Sequence, residues 1–334
     1  MKRTWWAIAL SSILAALPAG ATAEDPAGIE LTPEARTAIQ KGLNWLARSQ
    51  TLDGSWNSEF RRNTGVNSMA VLAFVANGHL PGRGPYGITV AKGVDWIVRQ
   101  AAPNGMITRD CSHGPMYEHA MSSLMLAEVW GMTRRPDIRV TLKKAIDLII
   151  ASQGRNGSWG YQPQPTGGDI SVTIMQLMAL RAAHDAGIEV PTETIERGVG
   201  FVKRCQNPDG GFSYMEYNGV RGPSALARSA AGVASLQFAG KYKAEEEAIK
   251  KGIAYLLQEL PKGDAGNYYY AHYYGAHAAY FAGEPYWSQW YTEARRQLLA
   301  KQGADGSWNG SVLNTAWSVL VLSIPHRYLP IYQR

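Results

Sequence analysis

Apolar residues along this chain fall into two alternating patterns. In the first, they recur at i, i+4 and i+7, as in Ile39/Leu43/Leu46, Val90/Val94/Ile97, Leu142/Ile146/Ile149, Ile195/Val199/Val202 and Ile249/Ile253/Leu256. That spacing predicts a helix with one apolar stripe. A cation and a small residue precede each middle position: Lys41-Gly42, Lys92-Gly93, Lys144-Ala145, Arg197-Gly198 and Lys251-Gly252. A sixth stretch, Tyr291 to Lys301, keeps helical composition but loses this register. In the second pattern the residues are apolar nearly all round: Val66 to Ala76, Ala120 to Trp130, Val172 to Ala182, Ala225 to Phe238, Ala271 to Phe281 and Thr315 to Ile324. Such helices must be buried on every side. Six pairs of this kind predict an all-α fold, with an inner set of helices enclosed by an amphipathic outer set.

A glutamine closes each one-faced helix and leads into a glycine turn with an aromatic beyond it. The clear copies are Gln50 with Asp53-Gly54-Ser55-Trp56, Gln153 with Asn156-Gly157-Ser158-Trp159, Gln206 with Asp209-Gly210-Gly211-Phe212, and Gln302 with Asp305-Gly306-Ser307-Trp308. Weaker copies follow Gln100, at Asn104-Gly105-Met106, and Gln258, at residues 263–268. The period of 44 to 53 residues holds two helices and their loops. Glycine supplies the tight turn, and the aromatic anchors the loop in the core. An open stack of repeats needs polar end caps. Here the first and last turns, residues 53–57 and 305–309, are the same five letters, which suits a closed ring.

At 334 residues, 46% hydrophobic and 18% charged, the chain can bury a large core. Its one period argues for a single domain over residues 24–334. Lys2 and Arg3, the apolar run Trp5 to Leu17, and Ala21-Thr22-Ala23 have the layout of a secretory signal peptide, residues 1–23. The run is shorter than the about 20 residues a membrane span needs, so the expectation is an exported protein with no integral span after cleavage. A retained N-terminal anchor is the alternative. Cleavage after Ala23 removes two cations and no acid, taking the net charge from +6 to +4, too mild to imply nucleic acid. Cys111 and Cys205 read as free or buried thiols rather than a disulfide.

These aromatic-glutamine repeats resemble the prenyltransferase and squalene cyclase repeat family over roughly Thr32 to Tyr328. The resemblance implies an α/α toroid of six hairpins, the terpenoid cyclase and protein prenyltransferase architecture. Members cyclise isoprenoids, prenylate proteins or bind partners, so fold alone does not assign an activity. Squalene-hopene-type cyclases protonate an alkene through Asp-x-Asp-Asp-Thr. The matching stretch, Asp169-Ile170-Ser171-Val172-Thr173, keeps the first Asp and the Thr, with Ser171 and Val172 in place of the other carboxylates. A hydroxyl is far too weak an acid for that step. The Asp-x-Cys of zinc prenyltransferases and the Asp-Asp-x-x-Asp of ionising terpene synthases do not occur. Asp110-Cys111-Ser112-His113 crowds its ligands into a short loop that strains tetrahedral zinc, and neither metal nor cofactor is expected.

In a toroid the starts of the inner helices converge on one face. Their N-termini favour an anionic head group there. Tyr117, Arg228, His272, Tyr273, Asn314 and Trp317 are the candidate ligand-binding residues. An apolar tail would lie among Met121, Met125, Met175, Met178 and the tyrosines. Arg228, a charge on an apolar helix, needs a ligand or a partner, for which Asp169 and Glu118 stand nearest in the pattern. Asp169, Glu118 and His119 are the acid/base candidates should the protein be an enzyme of terpene cyclase or prenyltransferase type. Each has a structural reading too: Asp169 before Ser-Val-Thr is a helix N-cap signal, and Glu118 and His119 can be satisfied core polar groups. The leading expectation is an apolar, isoprenoid-like ligand bound without proton-initiated cyclisation. A third possibility is a protein-interaction module with a filled centre and an exposed aromatic patch at Tyr286, Trp287 and Trp290.

Overall fold

A computed structural model describes residues 31–111, 113–238, 246–260 and 267–332. The expected leader and most of the fifth turn lie outside these residues. The one-faced helices are α1 (Pro33–Ser49), α3 (Gly87–Val98), α5 (Pro136–Ala151), α7 (Thr192–Arg204), α9 (Glu247–Glu259) and α11 (Tyr286–Lys301). Between them run α2 (Thr64–Val75), α4 (Pro115–Thr133), α6 (Ile170–Asp185), α8 (Leu226–Phe238), α10 (Tyr268–Ala282) and α12 (Val312–Ser323). These six pack side by side in chain order, and α12 returns to α2, so the inner set closes into the expected α/α toroid. Burial follows the two patterns: every residue of α2 is buried, whereas α1 buries little beyond the face holding Ile39, Leu43 and Leu46.

The stripe register holds in four outer helices. In α7 it slips at its first position, where Thr194 is buried and Ile195 only partly so. α11 has its own register because it buries rings: Trp287, Trp290, Tyr291, Ala294 and Leu298 face inward. Trp290 lies against Gly275 of α10, where an added Cβ would stand 2.0 Å from Trp290 Cζ2. The aromatic patch expected on the rim is therefore absent: Trp287 and Trp290 are core residues, with only Tyr286 partly exposed.

Among the described residues, glycine turns join one unit to the next. Gln50 Nε2 donates to Gly54 O in its own turn at 3.0 Å and to Thr89 O of α3 at 2.9 Å. Gln153 and Gln206 reach Thr194 O and Ala248 O in the same way, each at 2.8 Å. Gln302 makes the same pair of bonds, but its second acceptor is Ala38 O of α1, at 2.8 Å. Gly306, at φ +94°, lies against Lys41 O of α1, 2.7 Å from where a Cβ would sit, as Gly54 lies against Lys92 O. The turn tryptophans bury their rings and donate Nε1–H to the preceding outer helix: Trp56 to Leu46 O, Trp159 to Ile149 O and Trp308 to Leu298 O, at 2.7 to 2.8 Å.

The C-terminal ends of the inner helices are covered by the last described residues, the short 3₁₀ turn Pro330–Tyr332. Tyr280 Oη donates to Tyr332 O at 3.2 Å, and Ile331 N donates to Glu128 Oε2 at 3.4 Å. The opposite face, where the inner helices begin, holds a cavity among the described residues. Among the described residues no helix is long and apolar enough to cross a membrane.

Candidate functional site

The first turns of all six inner helices surround a cavity of about 670 Å³, within the roughly 300–1,000 Å³ of small-molecule sites. Asn63 and Val66 of α2, Tyr117, Glu118 and Met121 of α4, Ser171 and Met175 of α6, Ala227 and Arg228 of α8, Tyr270 of α10, and Leu313 and Trp317 of α12 line it. Beneath Met121, Met175 and Trp317 the ring is filled by Met69, Leu124, Met178, Tyr273 and Tyr274. The void left among them is about 10 Å³, room for about one water and for no ligand. The cavity is thus a cup with a flexible methionine floor.

Its walls differ in character. α10, α12 and α2 contribute Tyr270, Leu313, Trp317 and Val66, joined by Phe60 from the first turn. α4, α6 and α8 contribute Tyr117, Glu118, Ser171 and Arg228. Tyr161 and Tyr214 reach over this polar side from the third and fourth turns, their hydroxyls hydrogen-bonded to each other. Backbone bonds hold both loops: Met116 N donates to Tyr161 O at 3.2 Å, and Ile170 N to Tyr214 O at 3.0 Å.

Asp169 stands behind this wall, buried. Its Oδ1 caps α6, accepting from Ser171 N at 2.8 Å and Val172 N at 3.1 Å, and also from Ser171 Oγ at 2.6 Å. Ser171 Oγ in turn lies 2.5 Å from Tyr117 Oη. Burial, and after it the negative charge of Asp169, raises the Tyr117 phenol well above its ordinary range, so it stays protonated. Glu118 Oε1 accepts from Asn63 Nδ2 at 2.7 Å, and Asn63 Oδ1 caps α2 through Val66 N at 2.9 Å.

Neither carboxylate pairs with Arg228. Its side chain makes no ion pair or hydrogen bond among the described residues, and its Nε is buried without a partner. The pairing expected from the sequence is therefore replaced by an unmatched guanidinium in the cavity wall.

His119, next to Glu118, points the other way. Its Nδ1 accepts the backbone N–H of Ile107 at 3.1 Å, and its Nε2 lies 3.1 Å from Ala145 O. Burial lowers it to about 4, so the ring is neutral. The same duty falls to Asn67 Oδ1 for Trp56 N, Thr173 Oγ1 for Trp159 N, Ser229 Oγ for Phe212 N and Thr315 Oγ1 for Trp308 N. His119 thus occupies the position that holds the turn in each of these units, outside the cavity lining.

His272, Tyr273 and Asn314 are likewise off the cavity wall. His272 is buried between α10 and α11, its ring 4.1 Å from that of Tyr268, with Nδ1 2.9 Å from Tyr268 O. Tyr273 stacks on Trp317 below the floor. Asn314 gives its backbone N–H to the Ser311 cap of α12 at 3.3 Å. Met125 is fully buried in the core. Sequence reasoning passed over Phe60, Asn63, Tyr161 and Tyr214. The two tyrosines had a signal: each stands two residues beyond a turn aromatic, Trp159 or Phe212. Among the described residues no three His, Cys, Asp or Glu side chains gather as a metal site, and both cysteines are free.

Residues 118–277 match the squalene-hopene cyclase C-terminal domain, which bears out the resemblance read from the repeats. Lanosterol synthase of Candida albicans is 30% identical over 139 residues, covering 38% of this chain and 18% of that protein. Drimenyl diphosphate synthase of Streptomyces showdoensis is 26% identical over 179 residues, covering 53% of this chain and 32% of that protein. The chain therefore spans about a third or less of these relatives' lengths. A type II terpene cyclase from Scytonema, solved with geranylgeranyl dihydroxybenzoate, superposes with a TM-score of 0.61 at 13% identity, over 89% of this chain and 98% of that one. An α-1,6-mannanase from Salegentibacter superposes with a TM-score of 0.66 at 8% identity, over 86% and 98%. At these identities the structures share the fold alone.

Proposed function

We propose that this squalene cyclase-like toroid binds an apolar, isoprenoid-like ligand with an anionic head in its cup, without protonating it. The unmatched Arg228 carries this reading. A guanidinium facing an otherwise largely apolar cavity costs folding energy unless a ligand anion completes it. The six converging helix N-termini favour the same charge. Trp317, Tyr270, Phe60 and the methionines offer the tail an apolar, adaptable lining. Support for an isoprenoid comes from the solved type II terpene cyclase of the same fold, which holds geranylgeranyl dihydroxybenzoate. Ser171 and Val172 stand where a proton-donating carboxylate would be needed, which argues against cyclisation started by protonation. The leader-like residues 1–23 support export of the chain.

The test is native mass spectrometry with geranylgeranoic acid, a C20 isoprenoid carboxylate, followed by NMR of the recovered ligand. The expected result is a one-to-one adduct, lost in Arg228→Leu, with the alkene signals unchanged. No adduct with the native chain, or one indifferent to Arg228→Leu, overturns the reading. A new product that vanishes in Glu118→Gln would favour an enzyme using this carboxylate, the one on the cavity wall among the described residues.

A further inference from the structure

The six inner helices do not start alike. Asn63 caps α2 through Val66 N at 2.9 Å, and Ser311 caps α12 through Asn314 N at 3.3 Å. α4 begins at Pro115, which has no N–H, and its next amide, Met116 N, is given to Tyr161 O at 3.2 Å. All three leading amides of α6 are engaged, Ile170 N by Tyr214 O, and Ser171 N and Val172 N by the Asp169 carboxylate. α10 lacks a side-chain cap, but what it brings to the cup is the phenol of Tyr270 rather than a cation. α8 differs from them all. Its first intrahelical bond runs from Ser229 N to Ala225 O at 2.9 Å, so the capping position belongs to Ala225, whose side chain has no acceptor. Ser224 before it is turned to the fourth turn, its Oγ 2.8 Å from Asp209 Oδ1 and 3.0 Å from Asn207 Nδ2. The amides of Leu226, Ala227 and Arg228 find no acceptor among the described residues. Ala225, Ala227 and Arg228 line the cup, with the buried Arg228 Nε unpartnered beside those amides.

We infer that the uncapped start of α8 is a subsite for a carboxylate head, one oxygen on the Ala227 and Arg228 amides and the other on the Arg228 guanidinium. The inference rests on the ligand-binding reading above and deepens it by naming the ligand class, an isoprenoid carboxylic acid. Free amides, a helix dipole and a planar guanidinium at one place complete a single negative charge. Further charge meets carboxyls instead. Burial raises the phenols of Tyr117, Tyr161, Tyr214 and Tyr270, and the negative charge of Asp169 adds to the rise in each, so its field reaches round the cup. Glu118 lines the same polar wall, and Asp209 adjoins the α8 start through Ser224. Against these three carboxyls the additional charge of a diphosphate weakens binding about tenfold.

Calorimetric titration with geranylgeranoic acid, geranylgeraniol and geranylgeranyl diphosphate, beside thermal melts, decides this. The native chain is expected to bind the acid about tenfold more tightly than the diphosphate. In Ala225→Ser the new hydroxyl caps the amides from within, so the melting temperature rises, acid binding weakens about tenfold and alcohol binding stays as it was. In Ala225→Asp a tethered carboxylate takes the place of the ligand's own, and acid binding is lost. Acid binding that survives Ala225→Asp, or that is unchanged in a stabilised Ala225→Ser, puts the head on Arg228 with the loop phenols or His113. Either result overturns the subsite and leaves the broader reading standing. So does a diphosphate bound as tightly as the acid. If none of the three compounds binds the native chain, both fall together.

Discussion

Tyr332 Oη lies 2.7 Å from His277 Nε2 at the closed end of the toroid, and His277 Nδ1 lies 2.7 Å from Tyr273 O. A neutral ring with its hydrogen on Nδ1 satisfies both contacts, donating to the carbonyl and accepting from the phenol. Protonation would put a second hydrogen on Nε2, against that phenol, in a buried site. Burial lowers His277 to about 4, and His119 likewise.

Acid stability follows from these two rings. Their folded pKa lies below the ordinary 6.5, so their contribution is complete above pH 6.5 and is lost as pH falls toward 4. Each is worth at most on the order of 3 kcal/mol. Urea unfolding at a series of pH values should show stability falling across that window, with a shallower fall in His119→Asn. A slope unchanged by the substitution would mean that folding does not shift the titration of His119.

Glu128 acts in the opposite direction. Burial raises its carboxyl to about 8 from an ordinary 4.5, so the folded chain keeps a proton that the unfolded chain releases. Its contribution is complete below pH 4.5 and is lost as pH rises through 8. Glu128→Gln keeps an acceptor for Ile331 N without a charge to bury. It should be more stable than the native chain at pH 8, by on the order of 3 kcal/mol, with little difference at pH 4.5. Equal destabilisation at both pH values would show that folding does not shift the Glu128 carboxyl.

Gly275→Ala should be severely destabilising. The new Cβ would stand 2.0 Å from Trp290 Cζ2, and a buried indole cannot move aside cheaply. Overpacking of this kind costs about 3 kcal/mol or more. Trp290→Leu in the same chain should recover part of the loss, a coupling that a double-mutant cycle on thermal melts would measure.

The two thiols should separate by reactivity. Cys111 is exposed, whereas Cys205 is buried and its thiol is pushed up to about 12, by burial first. A thiol reagent at pH 8 should label one site in the native chain and both in denaturant. Fast native labelling of Cys205 would require opening of α7.

The architecture was readable because both helix patterns repeat and each repeat votes again for the same answer. The stripe of α1 and the wholly buried α2 recur around the ring, so that a slip such as Ile195 for Thr194 changes nothing larger. The site was readable only in part, because a residue at the start of an inner helix can face either the cup or the adjacent turn. Tyr117 and Glu118 face the cup, and their neighbour His119 faces away. The turn-holding residues stand 11, 12, 14, 17 and 7 positions beyond the backbone amides they receive, at Asn67, His119, Thr173, Ser229 and Thr315. Without a constant spacing, only the folded backbone shows them to be equivalent. The short hairpin Glu216–Tyr217 with Val220–Arg221 carries no such period and was not anticipated.

Gln302 and Gly306 grip α1 as the first, third and fourth turns grip the helix after them, and the inner helices close the ring, so every unit has a neighbour on each side. In an open stack of repeats, a duplicated or lost copy merely lengthens or shortens the array. Here it would alter the bend required at every joint, as an added link spoils the fit of a clasped bracelet. The copy number is therefore a whole-number property set by geometry. Evolution can vary the letters inside each unit of this chain far more freely than it can vary how many units there are.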